Sequence, residues 1–84
     1  MKELDYLLQI YWQLWKDDVR AFFQDILTPQ EIENIYERLQ IIKLLKEWYS
    51  QREVSEKLGV STSTVNRWAR VLKYWSWIFN KLNL

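Results

Sequence analysis

Apolar residues recur at three- and four-residue spacings along most of this 84-residue chain, which is the period of an amphipathic α-helix. The first run predicts a helix with an apolar stripe of Leu4, Leu7, Leu8, Tyr11, Trp12, Leu14 and Trp15. Asp17 and Asp18 interrupt this run, and either is a candidate N-cap for a short second helix. The apolar residues of that second helix are Val19, Phe22, Phe23 and Ile26.

Three further helix starts carry capping signals. Thr28 is a typical N-cap followed by Pro29 at the first helical position, and Glu31 completes a capping box, which predicts a third helix to about Trp48. Ser50 and Glu53 form a second capping box, which opens a fourth helix that Gly59 ends. Ser61 caps a fifth helix to about Lys73, and residues 74–84 either continue it or begin a sixth. The pattern therefore predicts an all-α fold of five to six helices in a single domain.

Residues 51–70 meet the demands of a helix-turn-helix, in which two short helices cross at a tight turn. A small residue is required at the crossing, and Ser55 stands there. Glycine suits the left-handed backbone of the turn, and Gly59 follows four residues later. Apolar residues stand at the offsets that join the two helices, namely Val54, Leu58, Val60 and Val65. An ordinary helical hairpin is the alternative, but it requires no such combination.

The second helix of this motif opens with short hydroxyl side chains, which suit close approach to DNA phosphates and base edges. Asn66 is suited to adenine and an arginine to guanine, whereas Arg52 stands where a phosphate contact is expected. For Lys57 we favour a solvated side chain. The candidate DNA-binding residues are Gln51, Arg52, Ser61, Thr62, Ser63, Thr64, Asn66, Arg67 and Arg70. The expected partner is double-stranded DNA.

The charge distribution agrees with an anionic partner for the C-terminal half. The net charge of the whole chain is only +1. Residues 1–34 hold three basic and seven acidic residues, whereas residues 35–84 hold nine basic and four acidic ones. A net charge of −4 thus precedes a net charge of +5, although charges can also scatter along helices without function.

Several classes of function are excluded by composition. The chain has no cysteine and no histidine, which rules out disulfides, thiolate or imidazole metal sites and histidine catalysis. Catalysis would depend on carboxylates, and the adjacent Asp17 and Asp18 point to different faces of a helix. We therefore expect neither an enzyme nor a metal site. No run approaches the roughly 18–20 apolar residues of a membrane span, and the charged N-terminus is unlike a signal peptide, so a cytoplasmic location is expected.

The apolar content exceeds what so short a chain can bury. Apolar residues make up 49% of the sequence and include six tryptophans. A small domain buries a limited core, so a monomer would expose part of this apolar surface as a patch. A homodimer is therefore expected.

Residues 20–74 resemble the Trp-repressor family, and more closely its Trp-repressor-like branch. The resemblance rests on residues 23–31 with their Leu-Thr-Pro motif, on residues 37–45, on residues 49–53 and on the helix-turn-helix. It implies an intertwined homodimer that holds two helix-turn-helix motifs on successive major grooves, roughly 34 Å apart, of a palindromic operator. Residues 1–48 would be the dimerisation core, 50–73 the helix-turn-helix and 74–84 a helical tail. The aromatic and aliphatic core residues would be Trp12, Trp15, Phe22, Phe23, Ile35, Leu39 and Ile42.

The resemblance also implies a possible effector site. In tryptophan-binding members the corepressor lies between two arginines, which match Arg38 and Arg67, and Thr28 matches a further ligand contact. A glycine that follows the second arginine is Trp68 here, and a serine three residues further is Val71. The indole of Trp68 crowds the pocket, occupies it, or simply provides the apolar residue that the motif needs; Arg38 is otherwise a surface ion-pair residue. Our hypothesis is that the protein does not depend on free tryptophan and has no cofactor.

The function predicted is a sequence-specific transcription regulator, and the sign predicted is repression. The alternative is a helical protein-protein interaction module that has lost DNA binding. A mixed rather than positive surface at the start of the fifth helix would favour that alternative. For the aromatic residues 74–79, burial against a dimer core is favoured over a platform for stacking bases.

Overall fold

The computed structural model describes the backbone of residues 1–84 and every side chain except those of Trp75 and Ser76. The backbone forms five α-helices and no strand, which confirms the all-α prediction. The helices are α1 (Lys2–Tyr11), α2 (Lys16–Ile26), α3 (Pro29–Lys46), α4 (Gln51–Leu58) and α5 (Thr62–Asn80). Contacts divide the chain into two compact units, a first unit of Met1–Ile32 and a second unit of Glu33–Leu84.

The start of α2 differs from the prediction. Trp15 is the N-cap, so the expectation that Asp17 or Asp18 caps this helix was wrong. Both aspartates lie inside the first turn, where negative charge interacts favourably with the helix dipole. The carboxylate of Asp18 accepts a hydrogen bond from the backbone N–H of Trp15 at 3.2 Å. α1 ends at Tyr11, and a tight turn follows in which the N–H of Leu14 donates to the carbonyl of Tyr11.

Both predicted capping boxes are formed. At the start of α3 the Glu31 N–H donates to Thr28 Oγ1 at 3.1 Å, and Glu31 Oε1 accepts from the Thr28 N–H at 2.8 Å. At the start of α4 the same two bonds join Ser50 and Glu53, at 3.1 and 3.0 Å. These bonds satisfy backbone N–H groups that a helix leaves unpaired at its first turn.

A left-handed residue separates α3 from α4. α3 ends at Lys46, two residues before the predicted end, and Trp48 has a φ of +69°. The N–H of Tyr49 then donates to the carbonyl of Leu44 at 3.2 Å, which closes the end of the helix. Glycine is the usual residue for such a backbone, so a tryptophan gives no warning of it.

The core of the second unit lies where α3, α4 and α5 meet. Ile41, Val54 and Val65 are fully buried and contact one another. The half-buried residues packed around them are Leu44, Leu45, Tyr49, Leu58, Val60 and Trp68. The four apolar residues predicted to join the helices of the helix-turn-helix are all in this cluster, so that part of the prediction is confirmed.

α5 continues to Asn80, past its predicted end near Lys73, so the tail extends the fifth helix rather than beginning a sixth. Lys46 Nζ donates to the carbonyl oxygens of Phe79, at 2.7 Å, and of Leu82, at 3.3 Å. These bonds satisfy carbonyls that the end of α5 leaves unpaired. The predicted aromatic tail includes Trp75 and Ser76, whose side chains lie outside the described residues.

The first unit leaves its apolar residues uncovered in the single chain. Every side chain of α1 and α2 is described, and none is buried. Trp12 and Trp15 are 78% and 80% exposed. Of the residues predicted for a dimer core, Phe23 and Ile35 are also exposed, whereas Ile42 is buried within the chain. Among the described residues, no helix is long and apolar enough to cross a bilayer.

Candidate nucleic-acid interface

The turn between α4 and α5 has the geometry that the sequence predicted. Gly59 has φ +66° and ψ +33°, a left-handed conformation that glycine adopts without steric cost. The Val60 N–H donates to the Ser55 carbonyl at 3.2 Å, and the Ser55 hydroxyl donates to the Val60 carbonyl. Ser55 is thus small enough for the crossing, and its hydroxyl also holds the turn.

The first turn of α5 is organised by hydroxyl groups. Ser61 Oγ accepts from the backbone N–H of Thr64 at 3.2 Å and so caps the helix. The same oxygen lies 2.7 Å from Thr64 Oγ1 and 3.1 Å from Ser63 Oγ. Of the predicted DNA-binding residues, Ser61 and Thr64 therefore have a structural role in starting the helix.

Six of the nine predicted DNA-binding residues line one open concavity of about 550 Å³. We call it the recognition surface, and it is formed by Gln51, Thr62, Ser63, Asn66, Arg67 and Arg70. Asn66 Nδ2 donates to Gln51 Oε1 at 3.3 Å, which joins the start of α4 to α5. Two of the six residues are arginines and none is acidic, so the surface is positive rather than mixed.

Arg52 stands apart from the recognition surface. Its side chain is 86% exposed and pairs with Glu56 one turn later on α4, with an Nε to Oε1 distance of 3.1 Å. An exposed pair of this kind stabilises a helix only slightly and is screened by salt. The guanidinium therefore keeps access to solvent and to any phosphate that reaches the start of α4.

Arg38, Arg67 and Trp68 come together beside the recognition surface. The guanidinium carbon of Arg38, on α3, lies 5.6 Å from the centre of the Trp68 ring. The corresponding distance from Arg67 is also 5.6 Å. A cavity of about 180 Å³ adjoins them, lined in addition by Asn34, Glu37 and Thr64. Thr28, the fourth predicted effector contact, belongs to the first unit, where its hydroxyl caps α3.

Sequence reasoning missed two cation–aromatic contacts of the second unit. Arg38 faces the indole of Trp68, and Lys57 Nζ lies 4.9 Å from the centre of the Tyr49 ring. Each contact joins residues from different elements or turns, so no local spacing signals it. The favoured interpretation of Lys57 as simply solvated omitted this aromatic neighbour.

The titratable groups with a resolved shift have capping roles. Hydrogen bonds from the backbone and side chain of Thr28 lower the pKa of Glu31, and the same bonds from Ser50 lower the pKa of Glu53. Among the described residues, no cluster of three or more Asp, Glu, His or Cys side chains is arranged to hold a metal ion.

Comparison with known proteins places this arrangement in a family. The sequence profile described as "Trp repressor protein" matches residues 2–82. This chain belongs to the Trp repressor family. The match extends the resemblance predicted for residues 20–74 to all five helices.

Curated relatives within the Trp repressor family share a third or more of their residues with this chain. "Uncharacterized protein YerC" of Bacillus subtilis (strain 168) is 35% identical over 75 residues, which are 87% of this chain and 71% of the relative. A "Trp operon repressor homolog" of Xylella fastidiosa (strain M23) is 41% identical over 58 residues, or 68% of this chain and 63% of the relative. One of Photobacterium profundum is 40% identical over 62 residues, or 73% and 58%. The chain thus spans less than two thirds of these repressor homologs. No solved structure matches the chain.

Proposed function

We propose that this protein is a sequence-specific regulator of transcription that binds double-stranded DNA through the recognition surface. The observation that carries the proposal is the composition of that surface: Asn66, Arg67 and Arg70 lie together on α5, beside two hydroxyl side chains and no carboxylate. Amide and guanidinium groups are the side chains that form paired hydrogen bonds with adenine and guanine in the major groove. The names of the repressor homologs support the same function and favour repression.

We assign different roles to the residues of and around this surface. Asn66 and Arg67 lie half-buried and exposed, respectively, in the first half of α5, and we propose that they contact base edges. Thr62 and Ser63 at the start of α5 would donate to phosphate oxygens. Arg52 at the start of α4 would contact the phosphate backbone and contribute affinity without sequence preference.

Selection of bound duplexes from a random pool with the purified protein tests this function. We expect a palindromic sequence to emerge, and its half-site spacing to match one helical turn of DNA. Replacement of Asn66 or Arg67 by Ala should relax the selected sequence, whereas Arg52→Ala should weaken binding to all duplexes and reduce its salt dependence. Binding that is undetectable, or independent of salt, would contradict the proposal.

We propose a second copy of this chain as the cover for the apolar surface of the first unit. A groove of about 290 Å³ is lined almost entirely by apolar atoms of Leu7, Leu8, Tyr11, Phe22, Phe23, Ile26 and Leu27. Ile26 and Leu7 are 61% and 56% exposed in the single chain. Exposed patches of this kind are typical of interfaces, and a homodimer would place two recognition surfaces on one operator. Sedimentation equilibrium should give twice the mass of the chain, and a monomer at micromolar concentration would contradict the dimer.

The alternative, an interaction module without DNA binding, lacks a supporting observation. It predicts a mixed charge on the face of α5 that begins at Ser61. The residues that line the recognition surface include two arginines and no acid, which favours a polyanionic partner instead.

We also propose that DNA binding needs no free tryptophan. The indole of Trp68 packs against the core and has the guanidinium groups of Arg38 and Arg67 near its ring, so this chain fills with its own side chain the space beside both arginines. Calorimetric titration with tryptophan should detect no binding at micromolar concentration. Tryptophan binding of that strength, together with operator affinity that requires it, would overturn this proposal.

A further inference from the structure

Arg67 lines two neighbouring surfaces. It is one of the residues of the recognition surface, and it also borders the smaller cavity that contains Trp68 and Arg38. Its own side chain is exposed, whereas Trp68 is half-buried and packs on the cluster of Ile41, Val54 and Val65. The indole is therefore the fixed partner of this contact, and Arg67 is the mobile one.

Trp68 is held from the other side as well. Arg38 reaches it from α3, and the two guanidinium carbons lie at the same 5.6 Å from the centre of its ring. Guanidinium groups are attracted to the electron-rich face of an indole within this distance. In the described part of the chain neither arginine has a salt bridge to a carboxylate, so the indole is the nearest group that orients them.

We propose that Trp68 is a positioning residue for DNA recognition: with Arg38 behind it, its indole holds the guanidinium of Arg67 at the edge of the recognition surface, ready to bind a base. This inference rests on the proposed function of that surface. A free arginine loses much rotamer freedom when it binds, whereas an arginine that is already stacked on a ring loses less. The benefit is specific to base recognition, because phosphate contacts tolerate many side-chain orientations.

Binding of the full-length protein to the operator recovered from the pool, and to a random duplex, tests the proposal. The variants are Trp68→Leu, which keeps an apolar contact to the core but removes the ring, and Arg38→Met, which keeps the stem but removes the cation. Lys81→Met is the matched control. It removes one positive charge from another cation–indole pair in the same unit, in which Lys81 Nζ lies 5.2 Å from the centre of the Trp77 ring.

We expect Trp68→Leu and Arg38→Met each to lower the operator affinity about tenfold, the size of one lost base contact. Affinity for the random duplex should change less than about threefold, because the charge of one side chain contributes little to it. Trp68→Phe should recover part of the loss, since a smaller aromatic face remains. Lys81→Met should leave the ratio of the two affinities unchanged.

A readout without DNA separates this proposal from the proposed function. In the free protein the Nε–Hε resonances of Arg38 and Arg67 should be shifted upfield by the indole ring, and Trp68→Leu should abolish both shifts. Unshifted resonances in the wild type would overturn the positioning role even if the protein binds its operator. Equal losses of affinity for operator and random duplex would overturn it too, because Trp68 would then support only the folding of the second unit.

Discussion

The two compact units treat their apolar side chains in opposite ways. In the second unit, Ile41, Val54 and Val65 close a small core between three helices, and the groups that carry charge lie outside it. In the first unit, α1 and α2 have strongly one-sided apolar faces, yet none of their side chains, all of which are described, is buried. A unit with a closed core can hold its recognition surface in shape by itself. A unit with open apolar faces gains most from a partner that covers them.

The largest effect should follow from opening the closed core. Ile41→Ala removes a fully buried side chain and should lower the free energy of unfolding by about 2–5 kcal/mol. Ile35→Ala makes the same change on the same helix, at a position that is 42% exposed, and should cost less than about 1.5 kcal/mol. Urea denaturation followed by circular dichroism measures both. Equal losses would contradict the contrast between covered and uncovered positions of α3.

The next effect concerns the open apolar face of the first unit. Leu7→Glu places a charge in the apolar groove and should raise the dissociation constant of the proposed dimer about 30-fold, or ~2 kcal/mol. Gln9→Glu adds the same charge to an exposed position of α1 outside the groove and should leave dimerisation nearly unchanged. Sedimentation velocity over a range of concentrations measures both. An unchanged dimer in the Leu7 variant would show that this groove is not the interface.

The turn of the helix-turn-helix should show a smaller, purely local effect. Nothing lies within 4 Å of a Cβ added to Gly59, so the cost of Gly59→Ala comes from the left-handed backbone alone. We expect about 1–2 kcal/mol. Gly59→Asn should recover part of this loss, because asparagine adopts that conformation more readily. Thermal unfolding measures the difference. If Asn destabilises as much as Ala, backbone conformation is not the cause.

The smallest effect should come from the two capping boxes, one in each unit. Hydrogen bonds hold the pKa of Glu31 and of Glu53 below the ordinary value. A carboxyl whose pKa is lower in the folded state stabilises the fold above its unfolded pKa, and this contribution is lost as pH falls through the folded pKa. Glu31→Gln and Glu53→Gln should therefore each reduce the loss of stability on acidification. Denaturant unfolding at neutral and acidic pH measures this, and wild-type pH dependence in both variants would contradict it.

The start and end of each helix were predicted well where local hydrogen bonds decide them. Thr28 and Ser50 are N-caps because their hydroxyls accept from the residue three positions later, which is visible in sequence. Gly59 ends α4 because its backbone is left-handed. The start of α2 was mispredicted because two adjacent aspartates and a preceding tryptophan all fit the first turn, and no local rule separates them. The left-handed Trp48 was missed because tryptophan rarely adopts that backbone.

The candidate site was predicted in part. The sequence identified all six residues of the recognition surface, because a helix-turn-helix puts residues of known offset on one face. It did not separate them from Ser61 and Thr64, whose hydroxyls are used to start α5. Whether a hydroxyl faces a helix terminus or an open surface depends on the rotamers of its neighbours.

The amino-acid pattern by itself determined five helices, the capping boxes, the glycine turn and the side chains proposed to face a duplex. Each of these depends on interactions within about four residues, so it is encoded in spacing and residue type. Tertiary structure alone decided that Arg38 and Arg67 both face the indole of Trp68, and that the apolar face of α1 and α2 stays uncovered in one chain. Those features join residues far apart in sequence, and only the packing of whole helices brings them together or leaves them exposed.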